Sequence, residues 1–265
     1  MPHNWTKAFC DTNGIRLHYT RTGGDKPPVL LLHGLMTNGL CWNGLAQALE
    51  PEYDVIMPDA RGHGDTAVPG QGYRYEDHAA DIVGLIQALN LAPTFLLGHS
   101  MGGMTAAVVG SRQPELLRGL VLADPTFLSP AVQREVWESD VADQHGKMLN
   151  LSFEEVVAEA RARHPNRSLQ TIELFARARL QTSLLAFEVL RPPNPDYEQL
   201  IAEINVPSLL ITGEKGVVSP AVAQELQCLN PILQWESVLA AGHALHMDQP
   251  ERFAGIVRQF LRSCN

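Results

Sequence analysis

A chain of 265 residues can bury a sizeable core as one domain, or as one domain with an inserted lobe, and needs no disulfides to do so. Apolar residues make up 45% and charged residues 18%, which excludes a disordered or fibrous chain. The 20 Lys and Arg against 29 Asp and Glu give a net charge of −9, which repels phosphate backbones and argues against a nucleic-acid partner.

The chain opens with two strands, expected over 8–11 and 15–20, around the tight-turn pair Asn13-Gly14. Short runs rich in Val, Ile and Leu follow, at 29–32, 55–58, 94–98, 119–123, 208–212 and 233–238, each read as a buried strand. Helical patterns separate them at 42–49, 78–89, 102–113, 220–229 and 250–261, with Pro220 and Pro250 suited to a first helical turn. This β-then-α order predicts an α/β fold: a mostly parallel eight-stranded sheet with helices on both faces. From 126 to 205 the alternation stops, and amphipathic helical stretches appear at 131–150, 153–163 and 168–190. The segment reads as an inserted helical cap that returns through the Pro-rich stretch Arg191-Pro192-Pro193-Asn194-Pro195. The expected division is therefore a core of 1–125 and 206–265 with a cap of 126–205.

Cys10, Cys41, Cys228 and Cys264 are scattered and read as free thiols. Neither a leader-like start nor an apolar run of about 18 residues occurs, so the expectation is a cytoplasmic protein without membrane attachment. No His, Cys and acid cluster has zinc spacing, and no G-x-G-x-x-G follows a strand, so neither metal nor nucleotide cofactor is expected. The oligomeric state is not legible.

Chemistry concentrates at Gly98-His99-Ser100-Met101-Gly102, where an apolar strand meets a helical run. A G-x-S-x-G pattern is weak alone, but in a strand–turn–helix setting it places a serine on a strained turn at a helix N-terminus, where partial positive charge favours an oxyanion. A phosphate-binding loop is the bland alternative, yet no lysine follows as such a loop would want.

With His33-Gly34, the stretch Asp59-Ala60-Arg61-Gly62-His63-Gly64, the elbow and Gly242-His243 in that order, the chain resembles the α/β-hydrolase superfamily over essentially its whole length. The resemblance implies a serine hydrolase without cofactor, with Ser100 as nucleophile and His243 as its base. His246 is the weaker choice because it lacks the preceding glycine and suits packing against the next helix. The backbone N–H groups of Met101 and Leu35 are the expected oxyanion donors, with Met36 as second choice for the latter. His33 suits a brace for that loop, and Asp59 and Asp65 suit turn positions.

The expected third member is missing from its common place. Where relatives carry an acid after strand seven, the run here is Gly213-Glu214-Lys215-Gly216. Asp124, at the carboxyl end of strand six, is the strongest substitute, similar to its placement in certain lipases, haloalkane dehalogenases and zearalenone-lactonase-like members. Glu214 is the alternative acid, and a turn cap is the alternative role for Asp124.

Apolar residues of the cap (Trp137, Phe153, Leu174, Phe175, Leu184, Phe187) together with Leu35, Met36, Met101 and Phe127 suggest a small apolar ester or lactone as substrate. Packing is the ordinary explanation for any one of them. Arg161, Arg163, Arg167, Arg177, Arg179 and Arg191 would also suit a carboxylate-bearing substrate, although a solvated helical face is the simpler account. The leading function is ester or lactone hydrolysis. A carbon–carbon bond hydrolase acting on a diketone uses the same machinery, and a ligand receptor on a hydrolase scaffold would use the pocket without turnover.

Overall fold

The computed structural model describes residues 5–264. Eight strands form one sheet in the order β1-β2-β4-β3-β5-β6-β7-β8: β1 Thr6–Thr12, β2 Ile15–Arg21, β3 Pro28–Leu32, β4 Asp54–Pro58, β5 Thr94–His99, β6 Leu117–Ala123, β7 Ser208–Lys215 and β8 Leu233–Gly242. The strand β2 is antiparallel to both β1 and β4, and the remaining pairings are parallel. Asn13 and Gly14 turn the opening hairpin with φ of 46° and 75°.

Alternation within the strands divides the core. In β3, Val29 and Leu31 face one apolar cluster while Leu30 and Leu32 face the other, so both faces of the sheet are covered. One face carries α1 (Asn43–Leu49) and the C-terminal α11 (Pro250–Ser263), through Leu45, Leu49, Phe253, Val257 and Phe260. The other carries α2 (Tyr75–Ala88), α3 (Met101–Arg112) and α9 (Pro220–Leu229). Each fully buried Leu or Ile on these faces contributes about 1.5–3 kcal/mol relative to exposure.

Between β6 and β7 the chain is helical: α4 Pro130–Glu138, α5 Val141–Met148, α6 Phe153–Arg163, α7 Leu169–Leu180, a 3-10 stretch Leu184–Leu190 and α8 Tyr197–Glu203. A single helix expected over 131–150 is two, because Ser139 and Asp140 interrupt it and the Ser139 hydroxyl turns back onto the Val136 carbonyl at 2.7 Å. The stretch 168–190 likewise breaks after Leu180. Ser152 and Glu155 form a reciprocal capping box that starts α6. Met148, Val156 and Ala176 make a small cluster within this segment, whereas Leu200 and Ile201 of α8 join the main core beside α3. A short α10 (Leu245–Asp248) follows β8. No helix among the described residues is long and apolar enough to cross a membrane, and all four cysteines are free.

The Asp59–Gly64 loop is held by buried charge. The Arg61 guanidinium grips Asp81 of α2 through Nε (2.7 Å) and Nη2 (2.5 Å) and also reaches the Gly72 carbonyl. Arg61→Met is expected to cost about 3–5 kcal/mol, because it strands a buried carboxylate. Arg112→Gln breaks an exposed pair with Glu76 and is expected to cost less than about 1 kcal/mol. Urea denaturation compares the two, and equal shifts in midpoint would refute this ranking.

Candidate active site

Ser100 stands between β5 and α3 with φ 55° and ψ −118°, a conformation that holds only if the flanking chains come very close. They do. A Cβ added to Gly98 would lie 2.0 Å from the Gly102 carbonyl oxygen, and one added to Gly102 would lie 2.4 Å from that of Leu32. The Ser100 N–H donates to the Ala123 carbonyl of β6 at 3.1 Å, which ties the turn to the neighbouring strand. The 12-residue α3 starts at Met101 and aims its positive end at the serine.

His243 follows β8 directly. Its Nε2 lies 2.9 Å from Ser100 Oγ, and its Nδ1 lies 2.6 Å from Asp124 Oδ2. A carboxylate can only accept from the ring, so Nδ1 carries the proton and Nε2 is left as acceptor for the serine hydroxyl. The Nε2–H of buried His99 donates to the His243 carbonyl at 2.8 Å and pins the loop. His246 takes no part in this chain of bonds. It packs on Trp42 (ring centroids 4.5 Å apart) and His99 (4.6 Å), and burial, with His243 nearby, pushes its pKa down to about 3.

Asp124 follows β6, fully buried, with φ 40°. Besides the His243 ring, its carboxylate accepts the N–H groups of Val217 (2.8 Å) and Val218 (3.1 Å) from the loop after β7. Glu214 is elsewhere: it is exposed and accepts the Ala240 N–H at 2.9 Å. The glycine at the vacated acid position has a physical reason. A Cβ on Gly216 would lie 2.5 Å from Asp124 Oδ1 and 2.8 Å from both Oδ2 and Cγ, so the β7 loop is bare where the β6 carboxylate enters. The two Val amides and this contact were not legible in the sequence, although Gly216 was the visible trace of them.

The loop after β3 passes over the serine. A Cβ on Gly34 would lie 3.1 Å from Ser100 Cβ, which puts Leu35 one residue from the nucleophile's contact. His33 braces this loop: its Nδ1–H donates to the Gly34 carbonyl (2.8 Å), and its Nε2 accepts the Ala60 N–H (2.9 Å). His63 adds a second brace, with Nε2 accepting the Met36 N–H at 3.4 Å and its pKa lowered to about 3, chiefly by burial.

Asp59 is a hub of the loop, as its turn position suggested. It accepts from His18 Nδ1 (2.8 Å), the Gly39 N–H (2.7 Å) and the Asp65 N–H (3.0 Å). Burial acts to raise its pKa, and these bonds, led by His18, hold it below the ordinary value. Among the described residues, His18, Asp59 and Asp65 bring possible metal-ligand atoms within 4.8 Å, but the His18 and Asp59 atoms already bond each other.

A family model described as alpha/beta hydrolase fold matches residues 27–250. The chain is 28% identical over 277 residues to an sn-1-specific diacylglycerol lipase of Mus musculus, covering 95% of this chain and 87% of that one. It is 25% identical over 252 residues to 3-oxoadipate enol-lactonase 1 of Acinetobacter baylyi, covering 89% of each. Among solved structures, an E-2-(acetamidomethylene)succinate hydrolase superposes with a TM-score of 0.85 at 25% identity, over 98% of this chain and all of the other.

Proposed function

The chain belongs to the alpha/beta-hydrolase fold family, and from that premise we propose that it hydrolyses a carboxylic ester or lactone through Ser100, His243 and Asp124. The observation that carries this reading is the unbroken relay from Ser100 Oγ through His243 to Asp124, at 2.9 and 2.6 Å. Ser100 Oγ attacks the carbonyl carbon as His243 Nε2 takes its proton. The tetrahedral oxyanion lies against the backbone N–H groups of Leu35 and Met101. His243 then returns the proton to the departing alkoxide, and water, activated by the same nitrogen, releases the acid from the acyl-enzyme. Asp124 holds the Nδ1–H tautomer throughout and stabilises the imidazolium that forms.

Residues 126–205 act as a cap over this site, a reading supported by the separate apolar cluster around Met148, Val156 and Ala176. The lipase and enol-lactonase relatives support ester and lactone chemistry at such a relay.

A fluorophosphonate probe tests the reading directly. One adduct is expected on the wild-type protein, located to Ser100 by peptide mass spectrometry, together with turnover of p-nitrophenyl butyrate or of a simple lactone. A protein that takes no label and cleaves no activated ester would be a receptor rather than a hydrolase. Labelling combined with a preference for a vinylogous diketone over esters and lactones would move the reaction to carbon–carbon cleavage.

A further inference from the structure

The helical segment carries seven arginines, and six have an ordinary account. Arg163 pairs with Glu159 at 2.9 Å and Arg167 with Asp248 at 3.1 Å. Arg191 pairs with Glu188 at 2.7 Å and lies over the Trp137 ring. Arg177 lies over the Phe153 ring, 4.9 Å from its centroid. Arg134 and Arg161 are exposed to solvent.

Arg179, in the last turn of α7, is different. It is not exposed, its buried Nε has no hydrogen-bond partner, and it has no salt bridge among the described residues. Its one polar contact among them is Nη2 on the Met36 sulfur at 3.8 Å, and a thioether is a weak acceptor. A guanidinium in such surroundings without an anion is costly, and it offers a rigid fork matched to a carboxylate. Burial, with a smaller contribution from Arg163, lowers its pKa from the ordinary arginine value.

The surroundings say what this fork faces. Arg179 lines a cavity of about 190 Å³ whose other walls include Leu35 and Met36 from the loop over Ser100, Val156 of α6, and Phe175 of α7. At about 30 Å³ per water, this is room for about six waters, or for one small organic acid. Glu159 also lines the cavity, but its carboxylate is engaged by Arg163. Of the other walls, Met148, Ala160, Ala176 and Met247 are apolar, Thr37 and His164 are polar, and Arg163 and Arg167 are the cations already paired with Glu159 and Asp248; Met36 follows Leu35, the proposed oxyanion donor. A substrate whose carbonyl sits at Ser100 can therefore extend past Met36 toward a cation.

We infer that Arg179 binds a carboxylate of the substrate, so that the ester or lactone cleaved here is a small molecule with an apolar body and one acid group. The substrate class rests on the hydrolase reading above; the anion site does not. The seven arginines of this segment thus separate into six accounted for by exposure or partners and one specificity residue.

The test uses Ser100→Ala protein, which binds without turnover, titrated calorimetrically at fixed ionic strength with monomethyl glutarate and with neutral dimethyl glutarate. The monoester is expected to bind at least about tenfold tighter, the scale of a hydrogen bond to a charged group. Arg179→Met in the same background should erase the difference, Arg179→Lys should restore only part of it, and Arg161→Met should leave it unchanged. The Lys variant keeps the test decisive if the Met variant does not fold. Equal affinities, no binding of the monoester, or a preference that survives both Arg179 substitutions overturns the inference. Wild-type turnover of p-nitrophenyl butyrate and of mono-p-nitrophenyl glutarate separates the two proposals. If neither is cleaved while the monoester preference holds, the hydrolase reading fails and the anion site stands; if either is cleaved while affinities are equal, the reverse is true.

Discussion

Ser100→Ala is expected to lower kcat/KM toward p-nitrophenyl butyrate by about 10⁴–10⁶ while leaving the thermal midpoint within a few degrees of wild type. The activity loss would follow from removing the proposed nucleophile, the hydroxyl oxygen 2.9 Å from His243 Nε2. The stability should change little because alanine keeps the Cβ, so the φ of 55° strains both residues alike. The close approach of Gly98 to Gly102 that enforces the turn is also untouched. His243→Ala should cost a similar factor, and the double variant little more than either single one, because serine and histidine act as a unit. A residual rate above that in water should survive from the oxyanion donors. A Ser100→Ala loss of less than tenfold would exclude an acyl-enzyme at this residue.

How much of this was legible in the chain depended on whether the signal was local. Six of the eight strands were read from short runs rich in Val, Ile and Leu and the first two from the Asn13-Gly14 turn between them, and all eight were placed to within a few residues. The placement of Ser100 and His243 was legible because each follows a strand at the sheet's carboxyl edge, the edge where ligands bind in open α/β sheets. Helices of the segment between β6 and β7 were read too long, since Ser139 and Asp140 are tolerated in a helical pattern yet end α4 in space. The helix α8 was missed because its seven residues follow a Pro-rich stretch that reads as linker, and its Leu200 and Ile201 find their partners only on α3. The isolation of Arg179 is invisible in principle: it depends on where Glu159, Glu188 and Asp248 lie, and two of those pairings are local but one spans 81 positions.

The position of the acid is the point where sequence and structure inform each other most. Asp124→Asn is expected to lower kcat by about 10⁴ with little change in KM, since an amide at the Asp124 position no longer imposes the Nδ1–H tautomer on His243. Glu214→Gln should change kcat by less than about twofold, because Glu214 is exposed and bonds the Ala240 N–H rather than the histidine. The opposite ranking would move the acid to β7. Gly216 gives a third, independent reading of the same geometry. A methyl group there would sit 2.5–2.8 Å from all three carboxylate atoms of Asp124 and must displace the carboxylate or the loop that carries the Val217 and Val218 amides. Gly216→Ala is therefore expected to cost about 10²-fold in kcat, the scale of a 1 Å misplacement, although residue 216 touches no substrate. Because the loss acts through His243, it should appear in kcat rather than KM and should largely vanish in the Asp124→Asn background. A full additional 10²-fold loss in that background would mean that Gly216 matters for folding of the β7 loop and not for the seat of the carboxylate.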